Sequence, residues 1–220
     1  MANSVITTAA DLAGRALASL TTGVAALRPP GEKPLHPEGE MYAGRLVRPG
    51  SSTPIGVPWI DDNGEDEVTV RISRAIGLPH PLPDVQGLAL RVRTGRTTYG
   101  DVLLASTGWD ALSRHLLMPA WNAHWPLTTL LPYRSPVGPL VIGARPVDVR
   151  GYQLCWATVG REWHPLGDLT LEMPLPEDTE VSFDPILNPL AAGLQQYTWV
   201  ERLREQSYAT ARRLRRASRV

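Results

Sequence analysis

Hydrophobic and polar residues alternate over short stretches in the middle of the chain, between Glu40 and about Asp184. These stretches contain many β-branched or aromatic residues and are bounded by Gly, Pro, Asp or Asn, which predicts β-strands. The predicted strands are Met41–Val47, Glu67–Ser73, Gly87–Arg93, Tyr99–Ser106, Pro139–Val147, Tyr152–Val159 and Asp168–Met173, with Thr53–Ile60 as an eighth candidate. Regularly spaced short strands separated by turns are typical of an antiparallel barrel or sandwich.

Both ends of the chain have a helical pattern instead. Apolar residues recur at near-helical spacing within Ala2–Leu27, and the Arg-Pro-Pro-Gly at 28–31 ends that predicted helix. From Pro189 to the C-terminus the pattern is helical again. Between the strands, Trp109–Leu117 is predicted to be helical and Met118–Pro132, rich in Trp and Pro, to be irregular.

These patterns predict a single α+β domain over residues 1–220. Its centre is an antiparallel β-barrel of about eight strands, flanked by an N-terminal helix and C-terminal helices. The 21 prolines exclude a long helical bundle, because proline does not fit inside helices.

Composition restricts the compartment and the partners. Cys155 is the only cysteine, which excludes an intrachain disulfide and any cysteine-based zinc or iron–sulfur site and favours a cytoplasmic location. Lys plus Arg and Asp plus Glu both number 22, which argues against a nucleic-acid partner, since such proteins carry a basic surplus. No apolar run approaches the ~20 residues of a transmembrane helix. The sequence leaves a homo-oligomer open.

The C-terminal helix carries a tyrosine between two arginines. Arg204 and Tyr208 are four residues apart, and Arg215 follows Tyr208 by seven, so all three share one helix face. A neighbouring guanidinium lowers the pKa of a phenol, and tyrosinate is a known axial ligand of haem iron. Taken alone, this segment favours a half-buried tyrosine on a basic, solvated helix over an iron ligand.

Three further fragments carry polar residues at regular spacing. Lys33, His36 and Gly39 are each three residues apart, and Arg71 and Ser73 share one face of a predicted strand. The third fragment is an Asp-x-x-Gly-x-Ala-x-Arg segment, formed by Asp84, Gly87, Ala89 and Arg91.

Together, the order and spacing of these fragments resemble a small haem-binding member of the catalase superfamily, a catalase-related peroxidase. The resemblance covers residues 33–106 and 183–215. It implies that Tyr208 is the proximal iron ligand of haem b and that Arg204 tunes it. It also implies that His36 is the distal acid–base group and that Ser73 hydrogen-bonds it. Lys33, Arg71 and Arg215 would pair with the haem propionates.

Two departures from the family pattern refine the implied function. Ala105 occupies the position of the family's distal asparagine, and the chain is far shorter than true catalases. The resemblance therefore implies a haem-dependent peroxidase or peroxygenase that reduces hydrogen peroxide or organic hydroperoxides with an organic donor and has weak catalase activity. The alternatives are a lipid-hydroperoxide isomerase or dehydratase, similar to the catalase-like allene oxide synthases, and a haem-binding module without turnover.

Overall fold

The computed structural model describes residues 39–75, 81–95, 97–122, 124–176, 179 and 181–200. Within these ranges the chain forms nine β-strands, one short helix (α1, Pro58–Asp61), one 3-10 turn, Ser113–His115, and three helical residues at 198–200. The strands are β1 (Gly39–Arg48), β2 (Gly64–Arg74), β3 (Gln86–Arg93), β4 (Tyr99–Ser106), β5 (Leu127–Thr128), β6 (Tyr133–Ser135), β7 (Gly138–Pro146), β8 (Gly151–Thr158) and β9 (His164–Pro174).

The strands close into a barrel, as the alternating pattern predicts. Every pairing is antiparallel, and the order is β5-β4-β3-β2-β1-β9-β8-β7-β6. The short strand β5 pairs with both β4 and β7, which joins the two sides of the sheet into a ring of eight strands. Strand β6 lies outside the ring and pairs with β7 as a hairpin. Closure leaves the ring without an open edge.

Alternate residues along each strand fill the barrel. Because successive side chains of a strand point to opposite faces, one set forms the core and the other set faces outward. The inward set includes Val68, Val70, Leu88, Leu90, Val102, Leu104, Leu140, Ile142, Leu154 and Leu169, all buried in one hydrophobic cluster. Burying each of these side chains is worth about 1.5–3 kcal/mol.

The seven main predicted strands are confirmed as β1–β4 and β7–β9 to within a few residues. The eighth candidate, Thr53–Ile60, is wrong: this stretch is a loop that leads into α1. Its conformation is set by the Asp61 carboxylate, which accepts hydrogen bonds from the amides of Ile55, Gly56 and Val57 at 2.8–2.9 Å. An aspartate that captures successive amides competes with strand pairing.

The helix predicted for Trp109–Leu117 is also wrong, because only Ser113–His115 forms a turn of 3-10 helix. The Asp110 carboxylate accepts the amides of Leu112 and Ser113 and so closes a tight local turn. Strand β5 lies in the stretch that was predicted to be irregular. Two residues carry too little alternation to be recognised as a strand.

The terminal helices are largely beyond what the structure describes. The predicted N-terminal helix lies outside the described residues, and so do residues 201–220. The described segment after Pro189 becomes helical only at residues 198–200. Before that it crosses the barrel at Gly100, where a Cβ atom would lie 2.5 Å from the Cα of Leu190, so only glycine allows this approach. No helix among the described residues has the length and apolarity needed to cross a membrane.

Candidate functional site

Strand β2 presents Arg71 and Ser73 on the outer face of the barrel. Their neighbour Val70 points into the core, and Ile72 packs against it, so alternation directs Arg71 and Ser73 outward. Ser73 is nevertheless buried, with 7% of its surface exposed. Burial lowers the pKa of the Arg71 guanidinium. Both predicted site residues of β2 therefore lie in a partly desolvated environment.

The strand register places small residues beside them. Ser73 pairs with Gly39 of β1 and with Gly87 of β3, and Gly87 in turn pairs with Ala105 of β4. In the next row Arg71 pairs with Met41 and Ala89, and Ala89 pairs with Leu103. We call the outer surface of β1–β4 that carries Gly39, Ser73, Gly87, Ala89 and Ala105 the small-residue face. At ~4.8 Å between neighbouring strands, it is about 14 Å wide.

Gly39 has a steric role at one edge of this face. A Cβ atom at this position would lie 2.8 Å from Cζ and Nη2 of Arg71 and 2.9 Å from the carbonyl oxygen of Ile72. The guanidinium of Arg71 therefore lies directly against the backbone of β1. This close approach explains why a glycine stands at position 39, the last residue of the Lys33, His36 and Gly39 fragment.

An ion pair between Arg91 and Asp101 borders the face on β3 and β4. The Asp101 carboxylate is fully buried and accepts hydrogen bonds from Nε and Nη2 of Arg91 at 2.8 and 2.7 Å. It also accepts the amide of Asp184 at 2.7 Å and Nδ2 of Asn188 at 2.8 Å. These contacts raise the pKa of Arg91 and fasten residues 182–188 to the barrel.

Sequence reasoning missed this buried network. Arg91 belongs to the Asp-x-x-Gly-x-Ala-x-Arg fragment, and in the structure it holds the chain together through Asp101. A useful signal was available, because Asp101 is a charged residue at the start of an otherwise apolar strand. Its partners at 184 and 188 are more than 80 residues away and could not be paired with it from the sequence.

Asp84 and Ser106 hold residues 118–120 to the strand ends next to the face. Asp84 is buried, lies 3.7 Å from Nε of Arg74, and exchanges two backbone hydrogen bonds with Ala120. The Ser106 hydroxyl donates to the carbonyl of Met118 at 2.6 Å and accepts the amide of Gln86 at 3.0 Å. Ser106 is thus engaged on the other side of β4 from Ala105 and does not replace an asparagine there.

The remaining predicted site residues cannot be placed. Lys33, His36, Arg204, Tyr208 and Arg215 all lie outside the described residues. Among the residues that are described, no three His, Cys, Asp or Glu side chains cluster in a way that could hold a metal ion. The structure therefore places Arg71 and Ser73 on one face of β2, and the roles of all seven residues stay predictions.

A cleft of about 820 Å³ lies elsewhere, at the turn between β8 and β9. Strand β8 is four strands away from β3 in either direction around the ring, whereas the segment of Arg114 is hydrogen-bonded to Thr128 of β5, which pairs with Ala105 of β4. The residues that line it are Ile55, Ala111, Arg114, Val137, Trp156, Thr158, Gly160, Arg161, Glu162 and His164. None of them belongs to the site predicted from the sequence.

Comparison with solved structures identifies the architecture. A structure of a bacterial catalase superimposes with a TM-score of 0.56 at 12% identity, over 86% of this chain and 58% of that one. The chain has a catalase-like fold. A fungal catalase matches with a TM-score of 0.54 at 10% identity, over 79% of this chain and 57% of the catalase. No protein-family model and no curated protein sequence matches the chain.

The catalase-like chain spans less than two thirds of the length of either catalase. At these identities the likeness concerns the fold alone. This fold agrees with the fold implied by the resemblance drawn from the sequence fragments. Two of those fragments lie on neighbouring strands of the barrel, Arg71 and Ser73 on β2 and Gly87 and Ala89 on β3.

Proposed function

We propose that the protein is a haem-dependent peroxidase or peroxygenase that reduces hydrogen peroxide or organic hydroperoxides with an organic donor. The proposal rests chiefly on the small-residue face of a catalase-like barrel. On this face Ser73 and Arg71 lie beside short, apolar side chains. The alanine at position 105 favours a peroxidase over an efficient catalase.

The described residues fit haem. A flat, apolar macrocycle can lie close to a sheet only where the side chains are small, and Gly87, Ala89 and Ala105 meet that condition on three neighbouring positions. Arg71 lies in the adjoining row and is partly desolvated, which suits a guanidinium that neutralises a propionate. In this proposal Tyr208 ligates the iron, Arg204 tunes it, and Lys33 and Arg215 pair with propionates. When bound, haem b would supply the redox chemistry of peroxide reduction.

The chain's own residues handle the proton. Gly39 pairs with Ser73. His36 precedes Gly39 by three residues, so the Cα atoms of His36 and Gly39 are at most about 11 Å apart. We assign Ser73 the role of holding His36 by a hydrogen bond. In this role His36 would move the proton of the hydroperoxide from one oxygen to the other as the O–O bond breaks. The organic donor supplies the two electrons and two protons that complete the reduction, to water from hydrogen peroxide or to water and an alcohol from an alkyl hydroperoxide.

The first test is an absorption spectrum of the purified protein, followed by a donor assay. We expect a Soret band, and we expect a phenolic donor to be oxidised only when hydrogen peroxide or an alkyl hydroperoxide is added. If the protein binds haem but does not oxidise the donor, the proposed peroxidase activity is wrong. Product analysis then distinguishes a peroxidase from an isomerase, because an isomerase rearranges a lipid hydroperoxide without consuming a donor. A protein that lacks the Soret band after reconstitution with haem would overturn the proposal altogether.

A large side chain on the small-residue face tests where haem binds. We expect Ala89→Phe to reduce the haem-to-protein ratio severely, because the ring would stand where the macrocycle must approach the sheet. The side chain is on the outside of the barrel, so the core is unaffected. The matched control is Thr170→Phe, which adds the same ring at an exposed position of β9 and should leave haem occupancy unchanged. Equal occupancy in both variants would refute this placement.

Position 105 tests the missing asparagine. Ala105 lies on the small-residue face, in the same row as Ser73, and has no group that could orient a peroxide. We therefore expect the wild-type protein to release oxygen from hydrogen peroxide slowly and Ala105→Asn to raise that rate modestly. An oxygen electrode measures both. Vigorous oxygen release by the wild type would show that the protein is a small catalase.

A further inference from the structure

Arg114 is a buried cation with no anionic partner among the described residues. Its exposed fraction is 2%, and none of the described carboxylates forms a salt bridge with it. Nε donates to the carbonyl oxygen of Asp110 at 3.0 Å, and Cζ lies 4.2 Å from the centre of the Trp163 ring. Nη1 is buried, and no described residue forms a hydrogen bond with it. A buried guanidinium in this state is costly to keep charged, and burial lowers its pKa.

The nearest carboxylate is already engaged. Asp110 interacts with Arg114 through space, but its carboxylate oxygens accept the amides of Leu112 and Ser113 and the hydroxyl of Ser113. These hydrogen bonds lower the pKa of Asp110 to about 2. Asp110 therefore shapes the turn that carries Arg114, while the Nη end of the guanidinium remains available to another anion.

Arg114 also lines the cleft at the turn between β8 and β9. The cleft combines Arg114 and Arg161 with one carboxylate, Glu162, so its lining carries a positive surplus. Apolar surface comes from Ile55, Val137 and Trp156, and the ring of Trp156 stacks on His164 with 4.5 Å between centroids. A volume of about 820 Å³ suits a small organic molecule.

The segment that carries Arg114 is held firmly. The Thr128 hydroxyl donates to the Arg114 carbonyl at 2.6 Å, and Nδ1 of His115 is 2.9 Å from the carbonyl oxygen of Leu130. Leu130 adopts φ 60°, a left-handed conformation that is unfavourable for leucine and indicates strong local constraint. A guanidinium fixed by Trp163, the Asp110 carbonyl and this backbone loses little freedom when it binds an anion.

We propose that this cleft binds a small molecule with a carboxylate on an apolar body, and that Arg114 pairs with the carboxylate. A guanidinium matches the planar, two-oxygen geometry of a carboxylate, and the apolar lining accepts the remainder of the molecule. The site does not depend on the proposed peroxidase function, because none of the residues that line it belongs to the predicted haem site.

The test is a titration of the purified full-length protein with benzoate, followed by tryptophan fluorescence and by calorimetry. Trp156 lines the cleft and Trp163 contacts Arg114, so binding should change the emission. Benzamide, the neutral isostere, and inorganic phosphate, which lacks the apolar body, should each bind about tenfold more weakly or worse. Any haem absorbance should not change, which separates this site from the iron.

The variants are Arg114→Gln, Arg114→Lys and, as a control, Arg150→Gln at an exposed turn position. We expect Arg114→Gln to weaken benzoate binding by about tenfold to a hundredfold, Arg114→Lys to weaken it less, and Arg150→Gln to leave it unchanged. Equal affinity for benzoate and benzamide would overturn the proposal on the wild-type protein alone, whether or not the Arg114 variants fold. Equal affinity for benzoate and inorganic phosphate would also overturn the proposal. So would unchanged benzoate binding by a folded Arg114→Gln variant.

Discussion

Tyr208→Phe is expected to fold and to lose haem, or to bind it far more weakly than the wild type. The phenolate oxygen is the proposed iron ligand, and phenylalanine removes that atom while keeping the ring. Arg204 lies one helical turn away in the sequence pattern and favours the ionised phenol, so Arg204→Ala should weaken haem binding in the same direction but less. The haem-to-protein ratio after purification and the position of the Soret band measure both effects.

Tyr197→Phe is the matched control for this experiment. Tyr197 lies on the described part of the chain, eleven residues before Tyr208, and its ring stacks with Trp199 at 6.3 Å between centroids. Burial raises the pKa of Tyr197, so its phenol stays neutral and is a poor ligand for ferric iron. Haem occupancy should be unchanged in this variant. If Tyr208→Phe retained full occupancy and an unaltered spectrum, the iron ligand would have to be another residue.

Asp101→Asn is expected to cause the largest loss of stability, about 3–5 kcal/mol in the free energy of unfolding. The substitution keeps the volume but removes the charge that balances Arg91 inside the protein. It also exchanges an acceptor for an NH₂ group beside the donors from Arg91, Asp184 and Asn188. Urea unfolding monitored by tryptophan fluorescence gives the value.

The comparison for this variant is Glu67→Gln. Glu67 pairs with Arg93 at 2.8 Å, in the same region of the sheet, but both side chains are solvent-exposed. Exposed ion pairs are screened by water, so only a small change in stability is expected. Similar losses in the two variants would mean that the Arg91–Asp101 pair does not fasten residues 182–188 to β3 and β4. A loss confined to Asp101→Asn would support that role.

Two arginines of this protein illustrate how burial changes the meaning of a charged residue. Arg91 is half-buried beside a carboxylate and serves as a structural tie, whereas Arg114 is buried without a carboxylate partner among the described residues and lines a cleft. Nothing in the sequence next to either arginine distinguishes these two uses. Their different uses follow from which distant segments fold against them.

The barrel itself was predictable from the sequence. Period-2 alternation is a local property, and it determines which side chains of β2, β3 and β4 enter the core and which face outward. The shared face of Arg71 and Ser73 follows from the same rule. The failures occurred where one side chain overrides the local pattern: Asp61 and Asp110 each capture backbone amides and turn predicted regular elements into loops.

By itself, then, the sequence determined the strand pattern, the shared face of Arg71 and Ser73, and the resemblance from which haem and Tyr208 are proposed. Only the tertiary structure decided what lies next to them. Strand register placed Gly39, Gly87 and Ala105 in one row with Ser73, and ring closure through β5 brought distant segments together around the Arg114 cleft. The physical reason is that register and closure depend on pairings between segments far apart in the chain, and local periodicity contains no information about such pairings.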